Sequence, residues 1–207
     1  MTAVIKWEEA HWVPYPWRVN RAPYRVLIAE VLLQRTTRKA VSRVYEGFIA
    51  KFPDTYSVYK ADTGELEGSL RPIGLYKQRA SRLKEIARAV VEGFNGTIPC
   101  DYDTLNKLYG VGPYIAGTVL SFGCGVRAPV ADSNVLRLLK RAFGVNGVKD
   151  ALELLWAVVP KEGHEVFNYG LIDLGAYVCT YRSPKCWECP VRPYCKYYAN
   201  STASGAR

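Results

Sequence analysis

The sequence predicts an all-α protein. Apolar residues recur at helical spacing in one segment after another, no segment sustains the period-two alternation of a strand, and the connections are short. Pro23 opens a helix that runs to Leu33, because the fixed φ of proline suits a first helical turn. A second helix is expected over residues 36–52, where Pro53 ends it. Residues 77–94 carry Leu83, Ile86, Ala87, Val90 and Val91 as one apolar stripe. Residues 104–108 form a short helix with Asp103 as candidate N-cap. Residues 113–122, 134–143, 151–159 and 165–179 complete the set, and residues 199–207, ANSTASGAR, are expected to be a disordered tail.

The chain has 207 residues, enough for one large domain or two small interleaved ones. Lys and Arg outnumber Asp and Glu by 28 to 19, a net charge of +9, which is the electrostatic footprint of a nucleic-acid binder. No apolar run approaches the length of a membrane span, and residues 1–20 lack the apolar core of a secretory signal. One Met and two Gln point towards a thermophilic source.

Four of the six cysteines fall in CTYRSPKCWECPVRPYC, residues 179–195, with spacing C-x6-C-x2-C-x5-C. Disulfides belong to secreted chains, so a metal site is the stronger reading. Structural zinc usually takes two short Cys pairs, whereas here one short pair, Cys186 and Cys189, has an outlying Cys on each side. Four thiolates in one compact loop suit a [4Fe–4S] cluster, with zinc as the alternative. Cys100 and Cys124 stand apart and are expected to be small buried apolar residues.

Leu108-Tyr109-Gly110-Val111-Gly112, followed by Pro113, separates two expected helices. Gly110 and Gly112 permit a tight turn with positive φ, and the N–H groups after Pro113 could hold a DNA phosphate; a plain helical connection is the other reading. Asp132, in PVADSNVLRLLKR, is a candidate N-cap. Glu30 lies inside VLIAEVLL, where an ionised carboxylate is costly unless paired. Either a salt bridge to an Arg or a role as an acid would account for it.

Taken in order, LYGVGPYIAG, VADSNVLR and the cysteine spacing resemble the helix–hairpin–helix DNA glycosylase superfamily, in its iron–sulfur branch with endonuclease III. The resemblance starts at PYPWR, passes through PYRVLIAEVLLQRTT and IGLYKQRASRL, and reaches Cys195. It implies that Cys179, Cys186, Cys189 and Cys195 ligate a [4Fe–4S] cluster, which shapes a loop presenting Arg182 and Lys185 to phosphates. It also implies a six-helix barrel over residues 22–131 and a cluster subdomain from residues 1–21 and 132–198, with Asp132 at the mouth of a cleft between them.

Within this superfamily the bifunctional members carry Lys two places after the second hairpin glycine, where it forms a Schiff base with the sugar. This chain has Tyr114 there, which implies a monofunctional enzyme that uses water. Tyr114 with Asp132, and the string LLQRTT, resemble the archaeal glycosylases that remove thymine or uracil opposite guanine. Asp132 would stabilise positive charge on the sugar and position the water, and Tyr114 would pack on the sugar or orient Asp132. Leu75 would fill the gap left by the flipped base, while Gln34 and Arg35 probe the hole or the opposite guanine. An adenine glycosylase, using Glu30 to protonate its base, is the alternative; those enzymes often add a C-terminal domain, and this chain stops soon after the cysteines. A non-catalytic DNA-binding protein on the same scaffold is a further one. The expected partner is mismatched double-stranded DNA, bound by a monomer in the cytoplasm of a prokaryote.

Overall fold

The computed structural model describes residues 1–203. Among these residues all regular structure is helical: α1 (Thr2–His11), α2 (Pro16–Val19), α3 (Pro23–Leu33), α4 (Arg38–Ser42), α5 (Tyr45–Lys51), α6 (Thr55–Lys60), α7 (Thr63–Leu70), α8 (Tyr76–Phe94), α9 (Tyr102–Lys107), α10 (Pro113–Thr118), α11 (Ser133–Phe143), α12 (Val148–Val158), α13 (His164–Asp173) and α14 (Lys196–Ala203). The chain divides into two compact units, residues 14–126 and residues 1–13 with those from 127 onward.

The core of the first unit is α3. Val26 through Leu32 are all buried, as expected of a helix covered on every side. α8 is amphipathic instead. It turns Ala80, Leu83, Ile86, Ala87 and Val90 inward and packs on α6 and α7. Each of Leu83, Ile86 and Val90 contributes about 1.5–3 kcal/mol when fully buried. In the second unit α13 packs on α1 and α11, and α11 also meets α14. Both α10 and α13 end in a widened turn, at residues 119–123 and 174–178, and each turn runs into a cysteine. There the Cys124 N–H bonds the Val119 carbonyl at 3.0 Å and the Cys179 N–H bonds that of Leu174 at 2.7 Å.

The expected helix over 36–52 is two helices, α4 and α5. The Thr37 hydroxyl accepts from Ala40 N at 3.1 Å to start α4, and the break after Ser42 turns Tyr45 into the core. There its hydroxyl donates to the Arg25 carbonyl at 2.8 Å and its ring meets Trp17 edge-on. Helices α1, α2, α6 and α7 lie outside the expected set. The signal for α6 was present in Asp54-Thr55-Tyr56-Ser57, which forms a capping box. The cap of α9 is Asp101, whose carboxylate accepts from Thr104 N at 2.9 Å; Asp103 sits inside the first turn. The Thr104 hydroxyl bonded to the same carboxylate holds the Asp101 pKa below its ordinary value. Residues 199–203, expected to be disordered, continue α14, with Arg141 over the Tyr197 ring and Arg192 over that of Tyr198. Residues 204–207 lie outside the described residues.

The unit boundaries also fall elsewhere than 22 and 131. Residues 14–21 join the first unit because Trp17 is buried there and α2 packs on α3. Residues 127–131 join the second because Arg127 donates to the carbonyls of Trp156 and Val159, and Asn168 donates to that of Ala128.

Cys100 and Cys124 are not buried apolar residues. Cys100 is exposed, Cys124 half-buried, and the two are joined in a disulfide with Cα atoms 5.9 Å apart. The bridge spans 24 residues and encloses α9, the Gly110 turn and α10. Closing a loop of this length restricts the unfolded chain by about 3 kcal/mol. Replacing both cysteines by serine should lower the Tm by roughly 6–12 °C in thermal melts, at about 2–4 °C per kcal/mol for a chain of this size. Reductant should lower the melting temperature of the unchanged protein and leave that of the double variant where it is.

Candidate active site

Two carboxylates suited to chemistry are held in the two units by different means. Glu30 projects from the last turns of α3 and is 5% exposed. The Tyr114 hydroxyl donates to its Oε2 at 2.6 Å. Tyr114 stands in the first turn of α10, directly after Pro113, and the Thr118 hydroxyl bonds its carbonyl at 2.6 Å. The partner that the structure gives Glu30 is therefore the very residue singled out for replacing the superfamily's lysine.

Asp132 is the N-cap of α11. Its Oδ1 accepts from Val135 N at 2.7 Å and its Oδ2 from the Asn134 side-chain amide at 2.8 Å. Behind Asn134 stands Arg137, which donates to Asn134 Oδ1 at 2.9 Å, to the Gly175 carbonyl at 2.5 Å and to the Cys179 carbonyl at 2.8 Å. Gly175 must be glycine, since a Cβ there would lie 2.7 Å from the Asn134 backbone. Hydrogen bonds thus run from the first cysteine of the loop, through a guanidinium and an amide, to the carboxylate. Charge-assisted bonds of this kind fix a carboxylate's orientation as well as its position.

The turn at Leu108–Gly112 forms as expected in one respect and differs in another. Gly110 has φ +76°, and a Cβ there would lie 2.9 Å from Cγ of Arg82. Gly112 has an ordinary φ of −88° and caps α10. Nearby residues make an open hollow of about 100 Å³ lined by Val31, Gln34, Arg35, Leu75, Gln78, Arg79 and Arg82. Gln34, Arg35 and Leu75, three of the expected DNA-facing residues, therefore come together. The Gln34 amide oxygen accepts from Arg82.

Cys179, Cys186, Cys189 and Cys195 are half-buried free thiols that ring a second, shallow hollow with Arg141, Leu138, Tyr197 and Tyr198. Burial, and after it the neighbouring Cys195 and Cys179, pushes the Cys186 thiol above its ordinary pKa. Burial does the same for Cys189, where the other three thiols add to the rise. Four clustered thiols, two of them raised by their neighbours, fit a cationic centre that would relieve that charge. Among the described residues no three His, Cys, Asp or Glu side chains converge on a point suited to one metal ion. Arg141 donates to the carbonyls of Thr180 and Tyr181 and reaches Cys179 Sγ at 3.5 Å. Arg182 and Lys185 are exposed on the loop, and Lys185 lies 3.5 Å from the Glu188 carboxylate. Such a surface pair is worth about 0–1 kcal/mol and leaves Lys185 available to a stronger anion.

Asn134, Arg137, Arg141, Arg79 and Arg82 escaped the reading of the sequence. Each is a polar residue on a helix that looks solvated; no spacing marks Asn134 as a link between Asp132 and Arg137, or the arginines as facing oxygens 38 to 48 positions away.

Residues 28–161 match a family described as HhH-GPD superfamily base excision DNA repair protein. The chain is 39% identical to a thymine-DNA glycosylase of Aeropyrum pernix over 89% of this chain and 87% of the relative. It is 37% identical to a thymine/uracil-DNA glycosylase of Pyrobaculum aerophilum, over 95% and 90%. The solved structure of a thermostable thymine-DNA glycosylase superposes with a TM-score of 0.91 at 34% identity, covering 96% of this chain and 94% of that one.

Tyr114→Phe removes the hydrogen bond that Glu30 Oε2 accepts in a buried place. It should cost about 0.5–3 kcal/mol in urea unfolding, the range for a lost hydrogen bond. An unchanged midpoint would mean that this bond adds nothing to stability.

Proposed function

The chain belongs to the HhH-GPD superfamily of base excision DNA repair proteins, and we propose that it is a monofunctional DNA glycosylase that hydrolyses the N-glycosidic bond of thymine or uracil mispaired with guanine. The observation that carries the monofunctional reading is Tyr114 at the head of α10 with its proton committed to Glu30. A phenol so held offers no amine for a Schiff base, so water is the nucleophile. The choice of base is supported by similarity to relatives named for thymine and uracil.

The duplex hides the bond to be cut, so the target nucleotide must leave the stack. Flipping costs least at a mismatch, which favours a G·T pair over G·C. Leu75 fills the vacated space, and Gln34 and Arg35 face the guanine left behind. As the bond to the base breaks, positive charge develops on the sugar. Asp132, with each oxygen already holding one donor, keeps lone pairs free to oppose that charge and to orient a water. The N–H groups after Gly112 and the exposed Arg182 and Lys185 grip phosphates without regard to sequence. Cys179, Cys186, Cys189 and Cys195 would hold a [4Fe–4S] cluster, which would tie four points of the loop together and keep Arg182 and Lys185 in place. The partner is mismatched DNA, and the protein acts on it as a monomer in a prokaryotic cytoplasm.

Asp132→Asn keeps a capping side chain and should keep DNA binding, while single-turnover excision falls by about 10²–10³, the usual loss when an electrostatic stabiliser is removed. Near-normal excision would leave Asp132 with only its helix. With a G·T duplex the strand should break only after hot alkali, and borohydride should trap no protein–DNA adduct; Tyr114→Lys should gain trapping. Duplexes carrying G·U, G·A and oxidised guanine opposite A define the base preference. Protein prepared without oxygen should contain about four irons and matching sulfide per chain. Stoichiometric zinc in their place would refute the cluster.

A further inference from the structure

Leu75 and Arg35 share an uncommon feature. Both are non-glycine residues in the left-handed region, with φ of +49° and +56°, and both line the same hollow. Left-handed backbone costs a branched or bulky residue energy, and it persists where surrounding contacts over-determine it. Here those contacts converge on one side chain. Arg79, on α8 and 4% exposed, donates from Nε to the Gly74 carbonyl at 3.0 Å. Its Nη1 donates to the carbonyls of Val31 and Leu32, both at 2.9 Å, and its Nη2 to that of Gln34 at 2.7 Å. One rigid planar fork therefore grips the carbonyl just before Leu75 and the carbonyl just before Arg35. It does so while closing the end of α3, the helix that carries Glu30.

We propose that Arg79 is a positioning residue that locks the Leu75 turn and the Gln34–Arg35 turn together as one rigid DNA-probing unit. The proposal rests on the reading that these turns enter the duplex. A wedge works only if it does not yield when it meets the stack. Left to itself, each turn would relax into ordinary backbone and lose its aim. The guanidinium removes that freedom in advance, so little ordering remains to be done on binding. Lysine cannot substitute, because a point charge on a flexible stem cannot reach four carbonyls in fixed directions. Burial, followed by the nearby charge of Arg82, lowers the Arg79 pKa from its usual value, but guanidinium stays charged in proteins. The arrangement is thus insensitive to ordinary pH.

Arg79→Lys tests this in the full-length, cluster-loaded protein, with Arg79→Gln as a second variant if the first does not fold. Amide hydrogen exchange read by mass spectrometry should quicken at residues 33–36 and at 74–77 together, and little elsewhere. Single-turnover excision from a G·T duplex should fall by about 10- to 100-fold, the scale of a misplacement near 1 Å. Affinity for the same duplex should change by less than about threefold, because phosphate contacts dominate it. Uracil in an unpaired bubble, where no stacking has to be broken, should be excised within about threefold of the normal rate. Leu75→Ala should give the same pattern, and the double variant should be no worse than the single ones, since both act through one wedge. Unchanged exchange at either turn overturns the role of Arg79 while leaving the probing reading intact. So does an equal loss on duplex and bubble, which marks a merely structural arginine. Quickened exchange with Leu75→Ala harmless on the G·T duplex refutes the probing reading itself, and the proposal with it.

Discussion

The first N–H groups of an α-helix have no partner inside the helix, and a side chain just ahead of it can supply one. At α11 that side chain is Asp132, and the bond from Val135 N fixes where its carboxylate lies. Nothing further is needed to hold the helix, yet the second oxygen is also occupied, by Asn134, and Asn134 by Arg137. The extra links serve orientation. A carboxylate that only capped a helix could rotate about its own axis; one gripped at both oxygens cannot. Arg137 in turn is held by carbonyls of Gly175 and Cys179, so the carboxylate's direction depends on how the widened end of α13 enters the cysteine loop. A cluster bound there would stiffen the far end of this chain of bonds without taking part in bond cleavage.

Helical periodicity made the fold class legible, and chemical spacing made the cysteines, Asp132 and the Gly110 turn stand out. These are local signals: an apolar stripe, a cap, a glycine between helices. What stayed hidden depends on distance in space. Cys100 and Cys124 carry no motif, and their pairing depends on two chain ends meeting after 24 residues. The break between α4 and α5 answers to the burial of Tyr45 against Trp17, which no window of sequence around residue 43 contains. Glu30 was recognisable as a carboxylate in need of a partner, but that the partner is Tyr114, 84 positions on, comes only from the packing of α10 on α3.

The net charge of +9 pointed to DNA, but it does not count the cations offered to DNA. Arg79, Arg127, Arg137 and Arg141 spend their donors on backbone carbonyls, and Lys185 leans on Glu188. The salt dependence of binding follows the phosphates neutralised and not the formal charge of the chain. A slope read from composition alone would overstate the grip.

The destinations of those four arginines share a physical cause. The last carbonyls of a helix are as unsatisfied as its first N–H groups, and the helix dipole makes that end attractive to a cation. Arg79 closes the end of α3, Arg127 that of α12, and Arg137 the widened end of α13, with Arg141 on the chain just beyond it. The candidate functional groups cluster at helix termini too: Glu30 in the last turns of α3, Leu75 ahead of α8, Tyr114 at the start of α10, Asp132 ahead of α11. Termini are where a side chain can face a ligand, but they are also where a helix frays. An arginine at a C-terminal end removes the fraying and leaves the chemistry in place. A short-linkered helical fold has many such ends, and this chain stiffens two of them, that of α3 beside Glu30 and that of α13 beside the loop that carries its cysteines. The candidate residues can thus sit on the least regular parts of regular elements without being loose.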